Sequence, residues 1–235
     1  MKQASPRNIV LGSIPARELS RLWPNLEPVT LDFGEVLYRP GERIRHVYFP
    51  TDCLISLLTV VDKNRSLEVG MVGSEGMAGM PFILGVGLSG VHALVQGGGT
   101  ALRMESAAFR KEFDRNVGLQ QALYRYTYAL MAQISQTAAC NRFHDAGERL
   151  ARWLLMTRDR VHSDRFGLTH VFLAHMLGVR REGVTEAAAE LKRRGLIAYS
   201  RGQIRILNSK GLATAACSCY EIVNQVFRRA QIRVG

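Results

Sequence analysis

The chain has 235 residues, of which 47% are hydrophobic and 22% are charged, and its net charge is +11. This length and composition indicate one large or two small globular domains that are soluble and can bury a core. No run of eighteen apolar residues occurs, and the first residues lack the apolar core of a secretory signal, which excludes a membrane span and favours a cytoplasmic protein.

The N-terminal half predicts a short helix followed by many short strands. Residues 14–26 have the composition of a helix, with Pro15 in its first turn. From Val29 to Met104, short runs rich in Val, Ile, Leu, Tyr and Phe alternate with turns rich in Gly, Pro, Asp and Asn. Many short strands separated by frequent turns predict an antiparallel sandwich or roll.

A long helix is predicted next, over residues 117–141, because no Gly or Pro follows Gly118 until Gly147. Apolar side chains recur along it at three- and four-residue spacing, at Leu119, Leu123, Tyr126, Leu130 and Ile134. We expect this stripe to pack on a second copy of the helix in a parallel homodimer. The alternative is that the stripe packs on the domain to which the helix belongs.

Residues 166–207 predict a helix-turn-helix followed by a β-hairpin. Thr169 is a suitable N-cap for a first helix that ends at Leu177, and Gly178 permits a left-handed turn. A second helix begins at Arg180 and ends before Gly195. Two short strands joined by a turn at residues 200–202 then form a wing.

This segment has the residue types that bind DNA. A helix in the major groove presents its N-terminal residues to the bases, here Arg180, Arg181 and Glu182, with Thr185 one turn further on. The N-terminus of the preceding helix, at Thr169, favours a phosphate. Lys192 and Arg201 are placed to contact other phosphates.

The distribution of charge supports this interpretation. Residues 1–141 contain 14 basic and 12 acidic residues, whereas residues 142–235 contain 17 and 8, so nearly all of the excess lies in the C-terminal part. A folded, strongly basic segment indicates that the binding partner is a polyanion such as double-stranded DNA. A solvated basic surface without a partner is the alternative that charge alone leaves open.

At these residues the chain resembles the Crp–Fnr bacterial transcription regulators. The resemblance is carried by Leu173-Ala174, Leu177-Gly178, Arg181-Glu182-Gly183-Val184-Thr185, Gly195-Leu196-Ile197, Gly34-Glu35-Val36-Leu37-Tyr38-Arg39-Pro40-Gly41-Glu42 and Arg149-Leu150-Ala151-Arg152-Trp153-Leu154-Leu155. It implies an α+β chain with three parts: a cyclic-nucleotide-binding-like β-roll at 1–116, a dimerisation helix at 117–142 and a winged helix-turn-helix at 143–235.

The resemblance also implies that Arg181 and Glu182 read bases, and RNA polymerase is a further candidate partner. The two-fold symmetry of the expected homodimer should match a pseudopalindromic DNA site. One departure concerns Glu186, which stands where the family often has a second base-reading arginine. The DNA target should therefore differ from the family's best-known sites.

The cyclic-AMP cassette of the family is altered in this chain. Residues 76–79 resemble its start, with Met77 in place of the glutamate that holds the ribose, and Ser89-Gly90 falls where an arginine and a hydroxyl residue hold the phosphate. No Lys or Arg occurs between Arg65 and Arg103, although a buried phosphate requires charge-assisted donors. We expect a pocket formed by Glu75, Gly76, Met77, Gly79, Ser89 and Gly90 to be retired or adapted to an unknown small-molecule effector.

Catalytic and metal-binding motifs give little support to an enzyme. Residues 85–90 match GxGxxG, but the following residues predict a strand instead of the helix that a dinucleotide site requires. Neither HExxH nor GxSxG occurs. Cys217 and Cys219 are too closely spaced for a zinc knuckle and have no His or Cys neighbour in sequence, so two small helix residues are expected there, with no metal or cofactor.

The sequence therefore predicts a homodimeric, sequence-specific DNA-binding transcription regulator that is not an enzyme and has no membrane partner. The alternative is a small-molecule sensor or enzyme whose basic C-terminal domain is not used for DNA. Steep weakening of DNA binding with rising salt distinguishes the two.

Overall fold

The structure is a computed structural model that describes residues 7–62, 65–200 and 202–234. Seven of its strands lie in the first 105 residues, in the region where the sequence predicts a roll. They are β1 (Glu27–Leu31), β2 (Val36–Tyr38), β3 (His46–Pro50), β4 (Leu54–Asp62), β5 (Arg65–Val72), β6 (His92–Gly97) and β7 (Gly99–Glu105).

These strands form two antiparallel sheets, with strand orders β1-β7-β3 and β2-β6-β4-β5. Side chains from both sheets share one core that includes Val47, Phe49, Leu54, Ile55 and Val95, all at most 1% exposed. The predicted antiparallel roll is thus confirmed. The GxGxxG segment begins at the end of a short 3-10 helix, Met80–Leu84, and leads into strand β6.

Nine helices occur in the part of the chain that the structure describes, and most follow the roll. They are α1 (Ile9–Gly12), α2 (Ala16–Leu22), α3 (Ser106–Arg115), α4 (Val117–Phe143), α5 (Ala146–Val161), α6 (His170–Leu177), α7 (Arg181–Arg193), α8 (Ser209–Ala215) and α9 (Cys219–Arg229). A second 3-10 helix, Trp23–Asn25, extends α2. The C-terminal strands β8 (Arg165–Gly167), β9 (Ile197–Ser200) and β10 (Gln203–Ile206) pair in the order β8-β10-β9.

Helix α4 packs on its own chain through the stripe that the sequence assigned to a dimer. Leu119, Leu123 and Tyr126 are fully buried and Leu130 is 4% exposed, while Ile134 is half-buried. Their neighbours are α1, α3 and β5 of the same chain, with α9 at the C-terminal end of the helix. The assignment of Leu119, Leu123 and Tyr126 to the dimer interface is therefore wrong, because side chains with no exposed surface in one chain cannot form a seam with another. The assignment of Leu130 and Ile134, which line a surface groove, stays a prediction.

Helix α5 is fixed to the roll by a buried ion pair. The Nε atom of Arg160 donates to Oε1 of Glu75 at 2.7 Å, and the two side chains are 1% and 2% exposed. Gly73 permits this approach, since a Cβ there would lie 3.0 Å from the side chain of Arg160. The first helix after α4 thus docks directly on the β-roll.

The C-terminal cysteines have neighbours that the sequence did not predict. Cys217 lies between α8 and α9, and Cys219 is the first residue of α9; both are buried against the end of α4. Cys140 and His144, at that end of α4, lie beside them. The expectation that this pair has no Cys or His partner is therefore wrong. Cys140 and His144 are 73 to 79 residues away in sequence, but the chain folds back and brings the pair against the end of α4.

Within residues 7–62, 65–200 and 202–234, every helix falls short of the length and hydropathy that crossing a bilayer requires.

A chain of buried polar groups links the roll to α5 near Glu68. Nε1 of Trp153 donates to one oxygen of Glu68 at 2.9 Å, and the other oxygen lies 2.6 Å from Oγ of Ser56. Oγ of Ser56 also lies 2.5 Å from Oε1 of Gln96. A serine has one hydrogen to donate, so both contacts are satisfied together when Glu68 is protonated and donates to Ser56.

Burial raises the pKa of Glu68 from 4.5 to about 7, against the opposing hydrogen bonds of Ser56 and Trp153. Between these two values the folded chain binds a proton that the unfolded chain has lost. The free energy of unfolding should therefore fall as the pH rises from about 4.5 to about 7.

We expect Glu68→Gln to remove this pH dependence, because the amide keeps one donor and one acceptor and carries no charge. At pH 8 the variant should be more stable than the native chain by at most roughly 3 kcal/mol, and at pH 5 the two should be similar. Denaturant unfolding at several pH values measures this, with Asp114→Asn, at an exposed carboxylate of α3, as the control. Equal destabilisation by Glu68→Gln at both pH values would contradict the inference that Glu68 is protonated in the folded chain.

Candidate nucleic-acid interface

Helices α6 and α7 and the turn between them form the predicted helix-turn-helix. Thr169 caps α6, and its hydroxyl accepts from the backbone N–H of Phe172 at 3.1 Å. Gly178 ends α6 with φ +60°, and Arg180 is the N-cap of α7. Gly195 follows α7 with φ +68°. The predicted caps and both left-handed glycines are confirmed, so the local geometry follows from these residue types.

Helix α7 has one buried and one exposed face. Val184, Ala187, Ala188 and Leu191 are buried, chiefly against α5 and α6. The exposed face begins with Arg180, Arg181, Glu182 and Thr185, in the first two turns, and continues with Glu186 and Ala189. The structure therefore brings together the four residues that the sequence assigned to base reading.

None of the charged groups at the start of α7 is neutralised within the described part of the chain. Arg180, Arg181 and Glu182 are exposed and form no ion pair with another described residue. The same holds for Glu186. These side chains are therefore available to a partner molecule.

The hydroxyl of Thr185 is already engaged. It donates to the backbone oxygen of Arg181 at 3.0 Å and lies 2.9 Å from Nδ1 of His170. Because its one hydrogen is used, Nδ1 of His170 must donate to it. The pKa of His170 is lowered by burial and by the nearby charge of Arg181, which favours the neutral ring. Sequence reasoning missed His170, whose ring also stacks on Tyr199 at 4.4 Å between centroids.

The far end of α7 carries further basic groups. Lys192 and Arg194 are exposed and have no ion pair among the residues that the structure describes, whereas Arg193 pairs with Glu190 at 2.7 Å. Strands β9 and β10 form the predicted wing, and Gly202 in their turn has φ +75°. Arg201, which the sequence assigned to phosphate contact, lies outside the described residues.

The helix-turn-helix also contacts the roll. A Cβ at Gly178 would lie 2.7 Å from Cδ1 of Leu67, on β5. The rings of Phe33 and Phe172 pack at 5.5 Å between centroids. The turn that precedes α7 is thus in direct contact with the N-terminal half of the chain.

The residues assigned to an effector pocket lie in two separate places. Glu75, Gly76 and Met77 are in the interior, where Glu75 is paired with Arg160 and Met77 is fully buried. The ring of Tyr126 covers Gly76, since a Cβ there would lie 2.1 Å from it.

Gly79 packs on Val47, also in the roll. Ser89 and Gly90 instead line an apolar groove of about 490 Å³ beside Met131 and Ile134 of α4. The hydroxyl of Ser89 donates to the backbone oxygen of Val91 at 2.6 Å. The six residues are therefore not arranged around a common ligand position.

Comparisons with known proteins agree with this fold. Residues 148–215 match the Crp-like helix-turn-helix domain. The transcriptional regulator LdrP of Thermus thermophilus is 27% identical over 202 residues, which cover 80% of this chain and 95% of the relative.

Two solved structures share the fold. The CRP-family transcriptional regulator TTHB099 of Thermus thermophilus aligns with a TM-score of 0.66 and 20% identity, covering 80% of this chain and 96% of that one. FixK2 of Bradyrhizobium japonicum aligns with a TM-score of 0.69 and 16% identity, covering 82% and 98%. Residues 148–215 thus match a Crp-like helix-turn-helix domain, and most of the chain has the fold of these two solved structures.

Proposed function

We propose that this chain is a transcription regulator of the Crp–Fnr type. It binds a pseudopalindromic DNA site as a homodimer, with the N-terminus of α7 from each chain in the major groove. The observation that carries the proposal is the exposed, unpaired group of Arg180, Arg181 and Glu182 at the start of a helix that is buried on its opposite face. The competing interpretation, a sensor or enzyme with an unused basic domain, explains neither this arrangement nor the wing beside it.

Each residue has a proposed role. Arg181 makes two parallel hydrogen bonds to guanine, and Glu182 accepts from a cytosine amino group or orients an arginine. Thr185 contributes its methyl group to a thymine methyl, because its hydroxyl is engaged by His170 and Arg181. The backbone N–H groups at Thr169 and the side chains of Lys192 and Arg201 contact phosphates, which position the domain without reading sequence.

The proposed dimer seam is the exposed face of α4. Its residues recur at alternating intervals of four and three: Val117, Gln121, Tyr124, Tyr128, Met131, Ser135 and Ala138, all exposed. Val117, Tyr124, Met131 and Ala138 are spaced by seven, as are Gln121, Tyr128 and Ser135, which is the repeat of a two-stranded coiled coil. Tyr124, Tyr128 and Met131 are 54%, 60% and 62% exposed, so a second copy has apolar surface to bury.

The surface next to α4 also favours a second copy of the chain as the partner of this face. Leu84, Val86 and Leu88 are 68%, 50% and 49% exposed and line the groove beside Met131. A parallel helix on the α4 stripe would come close to this groove and cover both. Residues 117–142 would then serve as the dimerisation segment between a sensor domain at 1–116 and a DNA-binding domain at 143–235.

The sensor domain is proposed not to bind cyclic AMP. Glu75, the nearest acidic group to the cassette, is held by Arg160, and Met77 supplies no polar contact. By analogy with the family, the proposal includes a small-molecule effector of another class and a contact with RNA polymerase.

We expect Arg181→Ala to weaken binding to a selected duplex by about 1–3 kcal/mol and to relax the preference at one position per half-site. Lys192→Ala should weaken selected and scrambled duplexes alike and reduce the salt slope by about one unit, because one phosphate contact is lost. Fluorescence anisotropy with both duplexes at several salt concentrations measures this.

Arg17→Ala is the matched control, since it removes the same charge from an exposed position on α2. Equal weakening of both duplexes by Arg181→Ala would instead identify Arg181 as a phosphate contact. Failure of the native chain to prefer any selected sequence would overturn the proposed function.

We expect Tyr128→Glu to convert the dimer to monomers, because two carboxylates at the seam would have to be desolvated next to each other. Light scattering at micromolar concentration measures the mass in solution. Lys111→Glu, an exposed position on α3, is the control for the added charge. A native chain that is monomeric with and without DNA, or a Tyr128→Glu variant that remains dimeric, would contradict the seam.

Calorimetry with cyclic AMP should detect no saturable binding to the native chain, because the residues at the cassette provide neither a free carboxylate for the ribose nor a cationic donor for the phosphate. Tight one-site binding would overturn this expectation. Cyclic AMP titrated into a Crp–Fnr protein that does bind it serves as the positive control.

A further inference from the structure

Four potential metal ligands meet where the C-terminal end of α4 contacts the start of α9. Cys140 and His144 come from α4 and its C-cap, Cys217 comes from the segment between α8 and α9, and Cys219 is the first residue of α9. Sγ of Cys140 lies 3.5 Å from Sγ of Cys217, and Sγ of Cys219 lies 3.5 Å from Nδ1 of His144. All four donor atoms lie within 4.8 Å of one another.

These separations suit a tetrahedral cation. Zinc–sulfur bonds of about 2.3 Å and zinc–nitrogen bonds of about 2.0–2.1 Å place neighbouring ligand atoms of a tetrahedron about 3.4–3.8 Å apart. Both of the 3.5 Å contacts fall in this range. The widest separation, 4.8 Å, exceeds it by about 1 Å, which a small rotation of a cysteine side chain can take up.

The surroundings differ from those of ordinary core cysteines. Cys140, Cys217 and Cys219 are at most 4% exposed and form a buried cluster separate from the main hydrophobic core. His144 is half-buried, which leaves one side of the cluster open toward solvent. The four cysteines of the chain are free, and 3.5 Å between sulfur atoms is far longer than the roughly 2.05 Å of a disulfide bond.

Neighbouring groups can support thiolates at this position. Nε2 of Gln136 donates to Sγ of Cys219 at 3.0 Å, the kind of outer contact that orients a metal ligand. Three thiolates and an imidazole form one of the standard ligand sets of structural zinc sites.

We propose that Cys140, His144, Cys217 and Cys219 form a zinc site that joins the end of α4 to the start of α9. The site goes beyond the proposed DNA binding and is independent of it. The site lies beside the junction at His144 and Asp145, where α4 ends and α5 begins. A bound ion would therefore fix the C-terminal helix to the proposed dimer helix at the point where the DNA-binding segment starts.

The test uses the reduced, metal-free full chain titrated with Co²⁺, whose visible spectrum reports geometry and thiolate ligation. We expect one Co²⁺ per chain, with the intense absorption of tetrahedral cobalt and a thiolate-to-cobalt charge-transfer band, and displacement by one equivalent of Zn²⁺. Cys140→Ser, Cys217→Ser and Cys219→Ser should each weaken binding by more than about 100-fold, since loss of an outer-shell partner alone costs 10–100-fold.

Cys53→Ser is the matched control, because Cys53 is also buried and free but lies in the roll. It should bind Co²⁺ as the native chain does. A weak octahedral spectrum, or tetrahedral binding that the three substitutions leave unchanged, would overturn the site. So would a chain that forms a Cys140–Cys217 disulfide and takes up no metal after reduction.

A second measurement on the native chain avoids the risk that a variant fails to fold. Zn²⁺ should slow the alkylation of Cys140, Cys217 and Cys219, as mapped by mass spectrometry, and leave Cys53 unaffected. Equal rates with and without Zn²⁺ would contradict the proposal. Both measurements are made without DNA, so their failure is distinguishable from failure of the proposed DNA binding.

Discussion

The arrangement of the two halves of the chain depends on the buried ion pair between Arg160 and Glu75. Removing two charges from water is costly, and the cost is offset only where the geometry is good and further hydrogen bonds are made. Here the guanidinium also donates to the backbone oxygen of Met156 and lies over the ring of Phe227. Loss of one partner would leave the other charge buried, a change that typically costs about 3–5 kcal/mol.

This pair, together with Trp153 and Glu68, places α5 on the roll, and the rest of the C-terminal half follows from α5. Helices α7 and α8 both pack on α5, so its position determines where the exposed face of α7 points. The roll would thus contribute indirectly to the proposed DNA recognition. It holds α5, the first helix of the C-terminal half, in one orientation.

Much of the fold and of the proposed DNA-binding surface could be predicted from the sequence, because their signals are local. The turn glycines Gly178 and Gly195 and the cap at Thr169 specify the helix-turn-helix within a few residues. Which face of α4 the chain itself buries could not be predicted in this way. Leu119, Leu123 and Leu130 are more apolar than Tyr124, Tyr128 and Met131, so periodicity selected the face that its own chain buries. The partners of Glu75 and of the cysteine pair were also missed, because they lie 85 and more than 70 residues away along the chain.

The contact between Leu67 and Gly178 has a consequence for how this sequence can diverge. Position 178 is restricted twice, by a left-handed backbone and by a leucine side chain that fills the space a Cβ would need. A smaller residue at 67 would remove only the second restriction, and a larger one would press on the turn itself. Evolutionary change at these two positions should therefore be correlated, although one belongs to the roll and the other to the helix-turn-helix.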